Sequence, residues 1–162
     1  MDGKKHLGPD VSLVSYTLRS CNAERVLELE PDSGGDLQIT NELHAPSDIK
    51  TLKPGDKYTL RLGMKVVGKL KDTEEVAFFC ECMFEGLFSV TPSNDTEVAV
   101  VEDIRFWALP FSQISPIVSQ YITDTLAKMG LRDIVVPPAE IARFVEVEDP
   151  PKKKRARGKA KS

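Results

Sequence analysis

The stretch VAFFCECMFEGLFSV, from Val76 to Val90, is the most apolar run of the chain and sets its fold. Because side chains alternate between the two faces of a strand, one face holds only apolar side chains and two thiols. The residues of this dry face are Val76, Phe78, Cys80, Cys82, Phe84, Gly86, Phe88 and Val90. The opposite face also carries Glu81 and Glu85. The pattern predicts an antiparallel sheet with its dry face under helices. It also predicts a binding surface rather than a catalytic pocket.

Three further strands are predicted around this one. Val11 to Arg19 and Asp36 to Leu43 alternate between apolar and polar residues, and Tyr58 to Leu70 alternates most clearly. A short polar turn, Lys71 to Glu74, joins the last of these to the central strand as a hairpin. Ser20 to Gly35 lacks the alternation and predicts a long crossover loop. Loops of that length are usually functional or disordered, and the leucines in this one favour binding.

One long helix follows the strands. Ser115 is a favourable N-cap, Pro116 suits the first helical position, and Gly130 suits the residue after the C-cap. Ala139 to Val147 predicts a short last helix, whereas the pattern of Val98 to Trp107 does not decide its state. The predicted fold is therefore α+β, a four-stranded antiparallel sheet with one long helix and a short C-terminal helix packed on one face.

Composition points to a single domain. The chain has 162 residues, of which 41% are hydrophobic and 29% are charged, and this length can bury a core of its own. We expect a flexible leader (1–10), one domain (11–147) and a disordered basic tail (148–162). No apolar run approaches the roughly 20 residues of a membrane helix, and no secretory signal is expected at the N-terminus. The three cysteines favour reduced thiols and a cytoplasmic location.

Charge is divided unevenly along the chain. The net charge of −3 divides into +7 for the stretch after Pro151 and −10 for the 151 residues before it. The basic residues of the tail include Lys152, Lys153, Lys154, Arg155 and Arg157. A block of like charge is usually disordered, but it can also bind anions. Binding of nucleic acid or of an anionic surface through this tail is therefore an alternative function.

Reactive constellations are few. A metal site would need Cys80 and Cys82 with a further ligand such as Cys21, His6 or His44, and the paired spacing of a structural zinc site is missing. Neither a nucleophile elbow nor a phosphate-binding loop occurs. The sequence therefore predicts no catalytic residue, no metal and no cofactor, and so a protein that is not an enzyme.

Apolar residues are more numerous than one sheet and one helix can cover. They recur in the crossover loop, on the central strand and after the helix. Uncovered apolar surface of this extent indicates oligomerisation, capture of apolar segments of other proteins, or both.

The central strand resembles that of SecB, the tetrameric export chaperone of bacteria. The likeness lies in the Phe-x-Cys-Glu core from Phe78 to Glu81 and in the ending Gly86-Leu87-Phe88. Further on, the spacing of the SecB helix and return segment is matched by Ser115-Pro116, Ile122-Thr123, Gly130 and Pro138. These stretches span most of residues 11 to 145.

The resemblance implies a homotetramer, a dimer of dimers, that holds unfolded preproteins in apolar grooves and delivers them to the SecA motor. It implies a client groove formed by Leu27, Leu29, Leu37, Phe78, Phe84, Phe106, Ile141 and Phe144. It also implies helix-mediated assembly through Ile117, Tyr121 and Leu126. Glu81, on the outward face of the sheet, would be the acidic contact for the motor.

Two departures from the SecB pattern point to a different partner. The first strand of SecB supplies further acids for the motor, whereas this region contains Arg19 and Ala23. The tail is basic where that of SecB is acidic or neutral. A SecB-like chaperone dedicated to an antitoxin or another specific client is therefore the alternative within this fold.

Overall fold

A computed structural model describes residues 9–30, 33–91, 99–100 and 104–140. Its elements, in chain order, are β1 (Val11–Arg25), β2 (Gly35–His44), β3 (Thr51–Leu52), β4 (Lys57–Leu70), β5 (Val76–Val90), β6 (Ala99–Val100), a 3-10 turn (Ile104–Trp107) and α1 (Ala108–Lys128). Most of the leader, the proposed last helix beyond Glu140, Ile141, Phe144 and the basic tail lie outside the described residues. Within the described residues, none of the helices combines the length and apolar character of a membrane span.

The main sheet has four antiparallel strands in the order β1-β5-β4-β2. The central strand of the sequence analysis, β5, pairs with β4 as a hairpin and with β1 on its other side. A two-stranded sheet, β3 with β6, lies apart from it. The helix α1 contacts β1, β4 and β5. The predicted α+β class, with a four-stranded sheet and one long helix, is confirmed.

The dry face of the sheet is buried as predicted. On β5, every second side chain from Phe78 to Val90 is buried, whereas Val76 at the strand's start is 37% exposed. On β4, the alternating residues that pack beside them are also buried, and these are Tyr58, Leu60, Leu62, Met64 and Val66. The helix covers this face with Ile114, Val118 and Ile122. The core therefore lies between one face of the sheet and one side of α1.

The first strand is longer than predicted. The sequence pattern predicts a strand only to Arg19 and a loop from Ser20 onward, but β1 continues to Arg25, which pairs with Phe78. Two register shifts, between Leu13 and Ser15 and between Leu18 and Ser20, interrupt the pairing with β5. Each shift inserts an extra residue and reverses the alternation of faces. The period-2 pattern therefore breaks although the strand does not.

The start of the helix was also predicted wrongly. It begins at Ala108, so Ser115 and Pro116 lie inside it rather than at its N-terminus. Ser115 is buried and its hydroxyl donates to the carbonyl oxygen of Ala139 at 3.0 Å. A Ser-Pro pair resembles a helix start because proline suits the first turn. Here the burial of Phe111 and Ile114 carries the helix upstream of that pair.

The predicted end of the helix is confirmed. Gly130 has a φ of +88°, in the left-handed region that a residue with a side chain rarely adopts. Its N–H donates to the carbonyl oxygen of Ala127 at 3.0 Å, and the N–H of Leu131 donates to that of Leu126 at 2.9 Å. This pair of bonds is a Schellman motif. It turns the chain back across the sheet toward Ile134 and Val136.

Candidate functional site

An apolar cavity of about 210 Å³ lies at one end of the dry face. It forms where the β1–β2 connection, the start of β2, the end of β4, the start of β5 and the segment after α1 converge. Its lining residues are Leu29, Ser33, Gly34, Gly35, Asp36, Leu37, Gly68, Lys69, Leu70, Ala77, Phe78 and Ile134. The sequence-predicted groove residues Leu29, Leu37 and Phe78 thus meet at one place.

Close approach of β2, β4 and β5 shapes this cavity. Leu37 on β2 pairs with Gly68 on β4, and Gly68 pairs with Phe78 on β5. A Cβ at Gly68 would overlap the ring of Phe78, so the ring rests on the bare backbone of β4. Because an engineered cavity of about 150 Å³ can hold benzene, the volume here is sufficient for one aliphatic or aromatic side chain of a bound peptide.

Leu37 is the most accessible apolar residue of the cavity. Its side chain is 45% exposed, whereas Phe78 is 4% exposed and Leu29 is partly buried. The site therefore has a buried aromatic floor and an exposed aliphatic rim. A peptide that laid one apolar side chain on Phe78 would cover Leu37 as well.

The other predicted groove residues lie elsewhere. Phe84 is buried beneath α1, edge-on to Tyr121 with ring centroids 5.2 Å apart. Phe106 is buried against Trp107, 5.1 Å away, and Leu27 packs partly buried against the core. The cavity therefore has contributions from three of the six described candidates.

Sequence reasoning missed Gly68 and Ile134 as parts of this site. A glycine inside a strand often marks the close approach of another group, so Gly68 carried a usable signal. Ile134 carried none, because only the turn at Gly130 brings the segment after the helix back over the sheet.

The three assembly candidates differ in accessibility. Ile117 and Tyr121 are partly buried on α1, whereas Leu126 is completely buried within the chain. Leu126 can therefore support assembly only by holding the helix in place. Beside the helix, Tyr16 is 54% exposed and Leu18 is 37% exposed on β1. An uncovered apolar strip thus runs along this edge of the dry face.

The opposite, open face of the sheet is polar. Glu81 is exposed there and pairs across the strands with Lys65 and Asn22. Glu85 lies between two arginines: Arg61 Nε donates to its Oε2 at 2.6 Å, and Arg19 forms an ion pair with its other carboxylate oxygen. The hydrogen bonds from Arg19 and then Arg61 lower the pKa of Glu85 below its ordinary 4.5. One of the two strand carboxylates is therefore neutralised within the chain.

We expect the ion pairs of Glu85 to make stability depend on pH in the acid range. Because the folded pKa is depressed, their contribution is fully present above pH 4.5 and is lost as the pH falls through the lower folded value. Both arginines are about half exposed, so screening limits the contribution to about 1 kcal/mol. The denaturation midpoint of the unaltered protein should fall when the pH is lowered from neutral to acid, and the midpoint of Glu85→Gln should fall by less. Equal falls in the two would contradict this.

An antiparallel sheet covered by a single helix, with a cavity left at one end, defines an α+β domain. Among solved structures, the chain is similar to the Mycobacterium tuberculosis Rv1957 SecB-like chaperone in complex with a ChAD peptide from the Rv1956 HigA1 antitoxin. The TM-score is 0.56 and the sequence identity 14%, covering 80% of this chain and 90% of that chain. The SecB-like fold is thereby confirmed. No family model and no curated protein matches the sequence.

Proposed function

We propose that this protein is a SecB-like chaperone that holds an extended apolar segment of a non-native client and performs no catalysis. The observation that carries the proposal is the cavity between Leu37 and Phe78, which has an apolar floor and is open at its rim. The similar Mycobacterium tuberculosis chaperone is in complex with a peptide of an antitoxin. A client of that kind, short and dedicated, is the preferred partner here.

The free energy of binding would come from the burial of apolar side chains of the client, which requires no directional contacts. Full burial of one large apolar side chain yields about 1.5–3 kcal/mol, which is too weak alone for stable retention. Several copies of the cavity in one assembly would raise the avidity.

We propose a homotetramer that joins through the strip beside α1, including Tyr16, Ile117 and Tyr121. The three free cysteines favour action in the reducing cytoplasm.

Delivery of preproteins to the SecA motor is the second candidate. It would use the exposed Glu81 as an acidic contact. The electrostatics of the open face favour it less, because Glu85 is neutralised by Arg19 and Arg61 and because Lys65 lies opposite Glu81. We therefore place the dedicated client ahead of the motor.

A charge at the cavity rim tests the proposal. The protein should slow the refolding of a slowly folding preprotein at stoichiometric concentration, and Leu37→Asp should lose most of that effect. We expect its affinity for a fluorescent apolar peptide to fall about 10-fold, because a buried aspartate would have to be desolvated. Gln38→Asp is the matched control, since it adds the same charge at the next residue of β2, on the opposite face. This control should bind like the unaltered protein.

Two outcomes would count against parts of the proposal. Equal loss in Leu37→Asp and Gln38→Asp would show that charge alone weakens binding, and the cavity would not be the site. Adding the motor protein separates the two partner classes. Faster release of the client, abolished by Glu81→Lys, would favour export over a dedicated client.

A further inference from the structure

Three cysteines from two distant parts of the sequence meet on the dry face. Cys21 on β1 lies directly opposite Cys82 on β5, and Cys80 lies two residues away on the same face of β5. The Sγ atoms of Cys21 and Cys82 are 3.1 Å apart, and those of Cys80 and Cys82 are 3.9 Å apart. All three sulfur atoms lie within 4.8 Å of one another. Strand pairing, rather than sequence spacing, creates this cluster.

The sulfur atoms lie close enough together for one metal ion to contact all three. With zinc–sulfur bonds of about 2.3 Å, two sulfurs of a tetrahedral site lie about 3.8 Å apart, and two sulfurs of a trigonal site about 4.0 Å apart. The Cys80–Cys82 separation of 3.9 Å lies between those values, and the Cys21–Cys82 separation of 3.1 Å is shorter than both. An ion could therefore enter with side-chain rotations alone, while paired strands hold all three Cα atoms in place.

Metal binding requires the thiols to lose their protons, since only the thiolate is a ligand. A cation that bound to the three sulfurs would displace those protons.

We propose that Cys21, Cys80 and Cys82 bind one soft divalent cation, such as zinc, through three thiolates. Within the described part of the chain, no histidine, aspartate or glutamate joins the cluster as a fourth ligand. Cys21 is exposed, whereas Cys80 and Cys82 are buried. The ion therefore enters from the Cys21 side and keeps water as its fourth ligand there. Soft thiolates select zinc and related ions over magnesium or calcium.

Cadmium is the probe of choice, because cadmium–thiolate bonds absorb in the ultraviolet. The reduced full-length protein, titrated with Cd²⁺, should reach one ion per chain by absorbance and by native mass. Zn²⁺ should compete for the same site, whereas Mg²⁺ should not. Cys21→Ser should weaken binding by at least about 100-fold, since even loss of an outer-shell partner weakens metal binding by about 10–100-fold.

His44→Ala is the matched control. His44 is a competent ligand type that lies outside the cluster, 3.4 Å from Glu42, so its removal should leave the Cd²⁺ titration unchanged. Cys21 is exposed, so Cys21→Ser should keep the thermal unfolding midpoint of the parent. Absence of Cd²⁺ binding by the reduced protein would overturn the proposal, as would binding that survives Cys21→Ser. The titration contains no client, so its result is independent of chaperone activity.

Discussion

Replacing Phe88 with alanine should lower the free energy of unfolding by about 3–5 kcal/mol, the usual loss for a buried phenylalanine. Phe88 is fully buried on β5, under α1. Its ring stacks on Tyr58 at 5.7 Å, and Tyr58 meets Trp107 edge-on at 5.2 Å. Removal of the Phe88 ring would leave a cavity that its rigid aromatic neighbour Tyr58 could not fill. Urea denaturation followed by tryptophan fluorescence would measure the loss.

Val135→Ala provides the comparison. Val135 is 75% exposed, so its truncation should change the free energy of unfolding by no more than about 0.5 kcal/mol. A loss below about 1 kcal/mol for Phe88→Ala would mean that this ring is not part of a close-packed core. The position of the helix on the sheet would then be wrong.

Local periodicity is sufficient to predict the two strands at the centre of the sheet. Each strand of the hairpin from Tyr58 to Val90 carries an uninterrupted alternation, because both strands are covered on one face only. The burial of Leu60, Leu62 and Phe84 follows that alternation. The glycine at the end of the helix was equally readable, since Gly130 adopts a positive φ that a side chain would oppose.

Bulges and tertiary packing determine the end of β1 and the start of α1, which the sequence pattern does not predict. Bulges after Leu13 and Leu18 reverse the alternation of β1, so its last six residues resembled a loop. Pro116 suggested a helix start, but core contacts of Phe111 and Ile114 extend α1 upstream of it. A bulge interrupts the period-2 pattern of a strand, and a long-range contact leaves no pattern among neighbouring residues. Neither feature could therefore be predicted from the local sequence.

The candidate sites were harder to predict than the strands, because each depends on strand register. Phe78 was predicted for the groove, but its role as floor comes from lying opposite Gly68. In the sequence Cys21 is one of several distant candidate ligands, and only its register with Cys82 brings the two sulfurs to 3.1 Å. A single sequence does not contain that register in readable form.

Gly68→Ala should abolish most client binding while the chain still folds. The new methyl group would overlap the Phe78 ring, and the ring would have to move from β4 into the space of the 210 Å³ cavity. Overpacking of this kind lowers the free energy of unfolding by about 1–3 kcal/mol. Loss of the cavity should weaken peptide binding more than about 10-fold, since the burial of one large side chain is worth about 1.5–3 kcal/mol.

Gly63→Ala is the matched control for this prediction. Gly63 lies on the same strand, five residues earlier and on the open face. A Cβ there would come closest to the flexible end of Met83, at 2.9 Å, and would be in ordinary contact with Glu42. Met83 can rotate away, and the substitution also removes the flexibility of a glycine from the unfolded chain. Gly63→Ala should therefore bind client normally and match or exceed the parent's stability. If Gly68→Ala bound client as tightly as Gly63→Ala, the cavity over Phe78 would not be where clients bind, however well the fold resembles a chaperone.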